Sequence, residues 1–282
     1  MGQPSSRPVA IVTGASSGIG REAALQLGRR GYSVGLLARR ARRLEAVAEE
    51  IALARGEAMA LPTDVSDRLQ VNGAVQAVLS GWGRVDVLVN NAGFAVHGLV
   101  QECQPTDFER QMAANYLGAV YCTMAVLPVM LRQRSGCVIN VSSISGKVPS
   151  PLSAGYCASK FALEAFSSSL RLELRGTGVS VVTVCPGYTE GQFDEATVKR
   201  RRLERRTLLR AMPAAAVAET IVKAAERPRR EFIMPMPLKL LALAYGVAPS
   251  IVDWWQSRFS SPAAFGPVVE RDESCGGKEP TL

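Results

Sequence analysis

The chain holds one histidine among 282 residues, six cysteines with no C-x-x-C pair, and only 6% aromatic residues. His97 stands alone, with no cluster of His and Cys, so the sequence offers no metal-binding set. The cysteines, at 103, 122, 137, 157, 185 and 275, are widely spread. Five fall in stretches that read as core elements or their edges, which points to reduced structural thiols in a cytoplasm rather than a disulfide framework. No apolar run reaches the roughly 18 residues that a spanning helix needs. The start, "MGQPSSRPVAIVTG", lacks the charged-then-apolar layout of a signal peptide and passes directly into a strand. Gly2 with Ser6 fits a myristoylation pattern only superficially, because the apolar strand begins so soon afterwards.

Apolar residues make up 47% of the chain, ample for the core of one α/β domain with an appended lobe. The net charge is +8, and it is concentrated. Residues 199–210, "KRRRLERRTLLR", carry seven bases and one acid, or +6, which leaves +2 for the rest. That segment has no aromatic residue for base stacking, so no nucleic acid is expected as a partner. It reads as a solvated helix face or as a feature attracting an anionic substrate, a cofactor phosphate or a membrane surface.

Short apolar runs alternate with segments of helical period. The runs lie at 9–13, 32–38, 57–64, 85–91, 137–143, 179–186 and 231–235. Between them, Leu44, Val47 and Ile51 follow helical spacing, as do Leu69, Ala74, Val75 and Val78. Strands buried on both faces read as continuous apolar runs, and strand–helix alternation implies a parallel sheet with right-handed crossovers. The expected fold is α/β, a doubly wound parallel sheet of about seven strands with helices on both faces, the Rossmann arrangement. Residues 1–235 form a single Rossmann-type domain in this reading, within which 188–212 is polar and basic and breaks the alternation. Residues 236–270 form an apolar C-terminal segment, and 271–282 read as a disordered tail.

The first strand runs into "TGASSGIG", residues 13–20, and then into an amphipathic helix. Gly14, Gly18 and Gly20 let the backbone turn sharply, admit a pyrophosphate close to the amides and seat the helix on the sheet. The helix N-terminus offers free N–H groups and a positive dipole end to phosphates. Ser16, Ser17 and Ile19 belong to the same cofactor-binding turn. About 20 residues beyond it, where an NAD site usually offers a carboxylate to the ribose, stand Arg39 and Arg40. An arginine there can clasp a 2′-phosphate, so NADP(H) is the preferred cofactor and NAD(H) the second choice. Asp64, at the end of the third strand, either meets the adenine ring or caps the following helix.

In this order and approximate spacing, "TGASSGIG", "NNAG" (residues 90–93), Asn115, "VSS" ending at Ser143, Tyr156-x-x-x-Lys160 and Pro186–Gly187 resemble the short-chain dehydrogenases/reductases. The likeness covers about residues 8–235 and implies that 1–235 is the catalytic domain, with 188–212 covering the substrate. It implies that Tyr156 is the general acid/base, that Lys160 lowers its pKa and bonds the nicotinamide ribose, and that Ser143 holds the substrate oxygen. It further implies that Asn115 kinks its helix and links Lys160 to solvent through water. Val65, Asn91, Ala92 and Gly93 would lie along the adenosine end, and Pro186, Gly187 and Thr189 at the nicotinamide end. The chain departs from the family at Gly191, where a threonine is common; Thr189 is the nearest hydroxyl. Subunit pairing through helices near 105–133 and 155–175 is implied, giving a homodimer or homotetramer.

Beyond the seventh strand, "LLALAYGVAPSIV" (240–252) is too short and too proline-broken to span a bilayer. It caps the substrate pocket, packs on a subunit, or lies peripherally in a membrane interface with Trp254 and Trp255 as anchors. Each reading favours a hydrophobic carbonyl or alcohol substrate of steroid-, lipid- or acyl-like character. His97 is either a substrate contact or a surface residue. The expected function is NADP-dependent hydride transfer between nicotinamide and such a substrate. The alternatives are a catalytically silent NADP-binding sensor, or a membrane-associated member using 199–210.

Overall fold

A computed structural model of the chain describes residues 5–190, 197–203, 211–259 and 265–268. The seven apolar runs become strands of one sheet. They are β1 (Val9–Thr13), β2 (Ser33–Ala38), β3 (Glu57–Pro62), β4 (Val87–Asn90), β6 (Gly136–Val141), β7 (Val179–Pro186) and β10 (Glu231–Met234). Their order is β10-β7-β6-β4-β1-β2-β3, and every pairing is parallel. All residues of β1 and β2 are buried, as a sheet covered on both faces requires.

Alternate residues of each strand feed two separate cores. Ala10 and Val12 pack with Leu25, Val47, Ile51 and Ile221, from helices α1 (Gly18–Arg29), α2 (Ala41–Leu53) and α7 (Ala214–Glu226). Val9 and Ile11 pack on the other face, with residues such as Val71, Val126 and Leu170. These come from α3 (Arg68–Trp82), α5 (Gly118–Gln133) and α6 (Ala154–Glu173). The strand order reverses between β1 and β4, so the turns after those two strands flank a crevice at the sheet's carboxyl edge.

Some local expectations are corrected. Leu69 is 75% exposed, because Asp67 caps α3 by accepting the Leu69 and Gln70 N–H groups; Leu69 therefore sits in the outer first turn, and Val71 is the buried residue. Asp64 is not the cap. Its carboxylate instead accepts from the Ser66 N–H and hydroxyl.

Helix α4 (Pro105–Met112), a π-helical turn (Ala113–Leu117) and α5 join into 29 continuous helical residues, long and apolar enough by composition to cross a membrane. A core helix passes the same test, and here Cys122, Val126 and Met130 are fully buried in the α3–α5–α6 core. At 199–203 the basic segment is strand rather than helix. Val198–Lys199 (β8) pairs with Val96–His97 (β5), and Arg201–Leu203 (β9) pairs with Phe265–Val268 (β11). The rest of that segment, Gly191 and the 271–282 tail lie outside the described residues.

Candidate active site

The turn after β1 is built for close backbone approach. Gly14 and Gly18 adopt φ of +67° and +52°, the left-handed region open to glycine. A Cβ on Gly20 would fall 2.3 Å from the Gly14 carbonyl oxygen and 2.5 Å from Asn91 Nδ2, so no larger residue fits there. Nothing lies within 4 Å of a Cβ placed on Gly18, which leaves room for a ligand beside it. Helix α1 then begins with no acidic residue in its first turn and no side-chain cap, so its N–H groups are available to an anion.

Arg40, rather than Arg39, spans this turn. Its Nη2 donates to Ser16 Oγ at 2.9 Å and to Ser17 Oγ at 2.7 Å. Arg39 sits instead in the field of Asp64 and Arg110, its guanidinium lowered first by desolvation, then by Arg110, against the pull of Asp64. A cleft of about 420 Å³ opens beside the turn, lined by Ser16, Ser17, Gly18, Arg21 and Arg43 among others. Val65 is buried, filling the space over Gly118 at the start of α5.

Thr13, which sequence reasoning passed over, joins the two crevice turns. Its hydroxyl accepts the Asn91 N–H at 2.9 Å and the Ala92 N–H at 3.0 Å, while its carbonyl accepts from Asn91 Nδ2 at 3.0 Å. The Asn91 side chain is therefore committed to bracing the glycine turn. A hydroxyl at the last residue of β1, just before Gly14, was the available signal.

Gly93 brings the catalytic candidates together. A Cβ there would lie 2.8 Å from Asn115 Oδ1 and 3.8 Å from Lys160 Nζ. Asn115 occupies the π-helical turn and is buried. Its Oδ1 accepts the Phe94 N–H, and its Nδ2 donates to the Phe94 carbonyl and to Ser159 Oγ, each at 2.9 Å. Such a π-turn disrupts the regular helical ladder and commonly marks functional sites.

Lys160 is 4% exposed, donates to the Val141 carbonyl at 2.9 Å and stands 5.7 Å from the centre of the Tyr156 ring. Burial lowers its pKa to about 8, against the opposing influence of Cys185 and Glu164. Ser143 ends the β6 region in extended conformation, and its hydroxyl accepts the Ser145 N–H at 3.1 Å. The short turn it opens, Ile144–Gly146, packs against α6, the helix of Tyr156 and Lys160. The neighbouring Ser142 Oγ points the other way, buried and without a hydrogen-bond partner, next to Gly146.

Behind Lys160, one helical turn along, Glu164 anchors a charged cluster that the sequence did not reveal. Its Oε2 pairs with Lys147 Nζ at 2.8 Å, and Lys147 also meets Glu231 at 2.8 Å. The Cys185 thiol donates to Glu164 Oε1 at 3.1 Å and is raised well above its usual pKa, first by burial and then by that carboxylate. Four of the five described cysteines are buried, and all five are free.

At the carboxyl end of β7, the Gly187 N–H donates to the Met234 carbonyl, and the Thr189 hydroxyl donates to the Gly187 carbonyl at 3.2 Å. A bridge between Thr189 and Met212 holds the loop that Pro186 begins. His97 is not a surface residue. It is 6% exposed in β5, its Nδ1 2.9 Å from the Ser153 hydroxyl just before α6. The reason is the β5–β8 pairing, which covers it. Arg200 likewise turns inward, paired with Asp107 through its Nε and Nη2.

A switch-point crevice with a glycine turn on one side, and a buried lysine one turn from a tyrosine on the other, defines a nucleotide-binding α/β oxidoreductase. Residues 8–202 match the family model for short chain dehydrogenases, and the chain belongs to the short-chain dehydrogenase/reductase family. Human dehydrogenase/reductase SDR family member 7 is 41% identical over 192 residues, 66% of this chain and 57% of that protein. The chain thus matches little more than half the length of that relative. A metagenomic short-chain oxidoreductase solved with NADP is 32% identical, with a TM-score of 0.70, covering 80% of this chain and 96% of that one. A short-chain dehydrogenase/reductase from Burkholderia phymatum, solved with NAD, shares the fold at 23% identity, with a TM-score of 0.79 over 87% of this chain and 95% of that one.

Proposed function

We propose that this enzyme is an NADP-dependent oxidoreductase interconverting a hydrophobic carbonyl compound and its alcohol, with Tyr156 as the general acid/base. The observation that carries the reading is the position of Lys160, buried at the Val141 carbonyl and 5.7 Å from the Tyr156 ring. A free tyrosine has a pKa of ~10, and bringing it near neutrality needs on the order of 4 kcal/mol of preference for the phenolate. With a pKa of about 8, Lys160 is largely an ammonium at neutral pH and contributes to that preference from one helical turn away. Ser143 steadies the substrate oxygen, and Tyr156 gives it a proton during reduction or takes one during oxidation. Asn115 holds the Phe94 backbone and Ser159, which keeps the π-turn open beside Lys160 for proton supply.

A nicotinamide cofactor in the crevice supplies or takes the hydride. The glycine turn, Arg40 with Ser16 and Ser17, Arg39, Asp64 and Val65 are the residues to hold its adenosine and phosphates. Asn91, Ala92 and Gly93 line its middle, and Pro186, Gly187 and Thr189 its nicotinamide end. Arg40, poised on two hydroxyls where an acid would favour NAD, supports NADP(H).

Exposed Met124 and Leu131 on α5, with Phe161 and Leu172 on α6, support pairing of subunits through those helices as a homodimer or homotetramer. The free thiols support a cytoplasmic, reducing setting. Turnover measured with NADPH and NADH in parallel tests the cofactor reading. NADPH is preferred by the native enzyme, and Arg40→Ala lowers kcat/KM with NADPH about tenfold or more while sparing NADH. An unchanged ratio in the variant removes the Arg40 argument.

A further inference from the structure

After β10, the chain forms two helices that cover little of the domain: α8 (Met236–Val247) and α9 (Pro249–Phe259). Helix α8 has no buried residue, and it packs on β10 and on α9. Its apolar side chains form a stripe toward solvent. Met236, Leu240, Leu243 and Val247 are 67%, 64%, 59% and 87% exposed, at the spacing of a single helix face. Helix α9 continues it with Ile251, Trp254 and Trp255, exposed by 67%, 58% and 42%. These side chains line about three turns of α8 and recur on α9, more than the single scattered apolar residues normal on a soluble surface. A patch of this size marks a docking face.

The charges around it choose the occupant. Helical geometry places Lys239 at the edge of the α8 stripe and Arg258 within the α9 stripe, where its guanidinium stacks 4.5 Å from the Trp254 ring. Asp253, the only acid on the two helices, falls on the opposite side of α9. A second copy docked here would bring like charges together. An anionic lipid surface meets both halves of the pattern: acyl chains for the stripe, headgroups for the rim, and an interfacial position for two tryptophans.

We propose that the α8–α9 hairpin docks the enzyme peripherally on anionic membranes, its axes in the interface and its apolar stripe among the acyl chains. The hairpin also borders the nicotinamide loop, since Leu238 Cδ1 would lie 2.5 Å from a Cβ on Gly187. Docking therefore puts the mouth of the crevice beside the lipid, where an apolar substrate concentrates.

The full-length protein is mixed with vesicles of phosphatidylcholine alone or of equal parts phosphatidylcholine and phosphatidylserine, then floated. Tryptophan emission is read in parallel, with Trp82 as a buried, constant background. The expected result is flotation with the phosphatidylserine vesicles, a blue shift on binding, and weakening by salt. Leu240→Ser with Leu243→Ser, and separately Trp254→Ala with Trp255→Ala, each reduce partitioning about tenfold or more while the melting curve is kept. Equal flotation of the variants and the native chain overturns the proposal, since the basic segment alone would then carry the binding. No flotation of the native chain overturns it as well. So does loss of a dimer in the variants by sedimentation with no vesicle binding, which would make the face a contact between copies.

Discussion

Replacing Lys160 with methionine should abolish turnover and yet make the cofactor-free protein more stable at neutral pH. The ammonium is 4% exposed, and its pKa falls to about 8 from an ordinary 10.5. Holding the charged form in that site therefore costs about 3 kcal/mol at pH 7. Methionine is of similar length and carries no charge to desolvate. It leaves the Val141 carbonyl without its side-chain donor, which takes back about 1–2 kcal/mol. The net expectation is a gain of about 1–2 kcal/mol in unfolding free energy at pH 7.

The pH dependence separates this cause from improved packing. Between about 8 and 10.5 the unfolded chain binds more protons at this lysine than the native one, so native-enzyme stability rises with pH there. Below 8 the penalty is fully present. The advantage of Lys160→Met therefore shrinks as pH climbs and is gone or reversed near pH 10. Urea unfolding of both proteins at pH 7 and pH 10, without cofactor, checks this. A variant less stable than the native chain at pH 7, or a difference that stays constant with pH, refutes the picture of a buried cation retained for function.

Other substitutions probe the frame around the site. Thr13→Val keeps the shape and removes the acceptor for two backbone N–H groups; urea unfolding should show a loss of about 2–3 kcal/mol and titration should show weaker NADPH binding, with a change below half a kcal/mol arguing against Thr13 as the link between the turns. Glu164→Gln leaves Lys147 with Glu231 alone in a half-buried setting, and a loss of about 2 kcal/mol is expected by the same method. Because Glu164 raises the Lys160 pKa, that variant should also shift the pH profile of kcat/KM downward, and an unmoved profile would mean the carboxylate is only structural.

The sheet was legible because central strands such as β1, β2 and β4, buried on both faces, leave uninterrupted apolar runs, while the edge strands β3 and β10 are only partly buried; the glycine turn was legible because its spacing sits between a strand and a helix. Tyr156 and Lys160 share a helix face at i, i+4, a spacing too common to mark a site by itself, so they, like Asn115, stood out only through the family resemblance. What remained hidden depends on partners distant in sequence. His97 is buried by a strand pairing about 100 residues away, Thr13 acts across 78 positions, and Lys147 meets Glu231 across 84. Leu69 fitted the helical period and still lies outside, because the cap at Asp67, not the apolar spacing, sets where the helix begins. At residues 199–203, composition suggested a solvated helix, while backbone pairing with β5 and β11 made strands.

The most direct test follows absorbance of the reduced nicotinamide across aldehydes, quinones, and steroid-like and acyl-chain ketones, with native enzyme and Tyr156→Phe side by side. The account predicts NADPH-dependent turnover of an apolar carbonyl compound that falls about a thousandfold or more in the variant, with NADPH binding retained. Turnover that survives in Tyr156→Phe would contradict it.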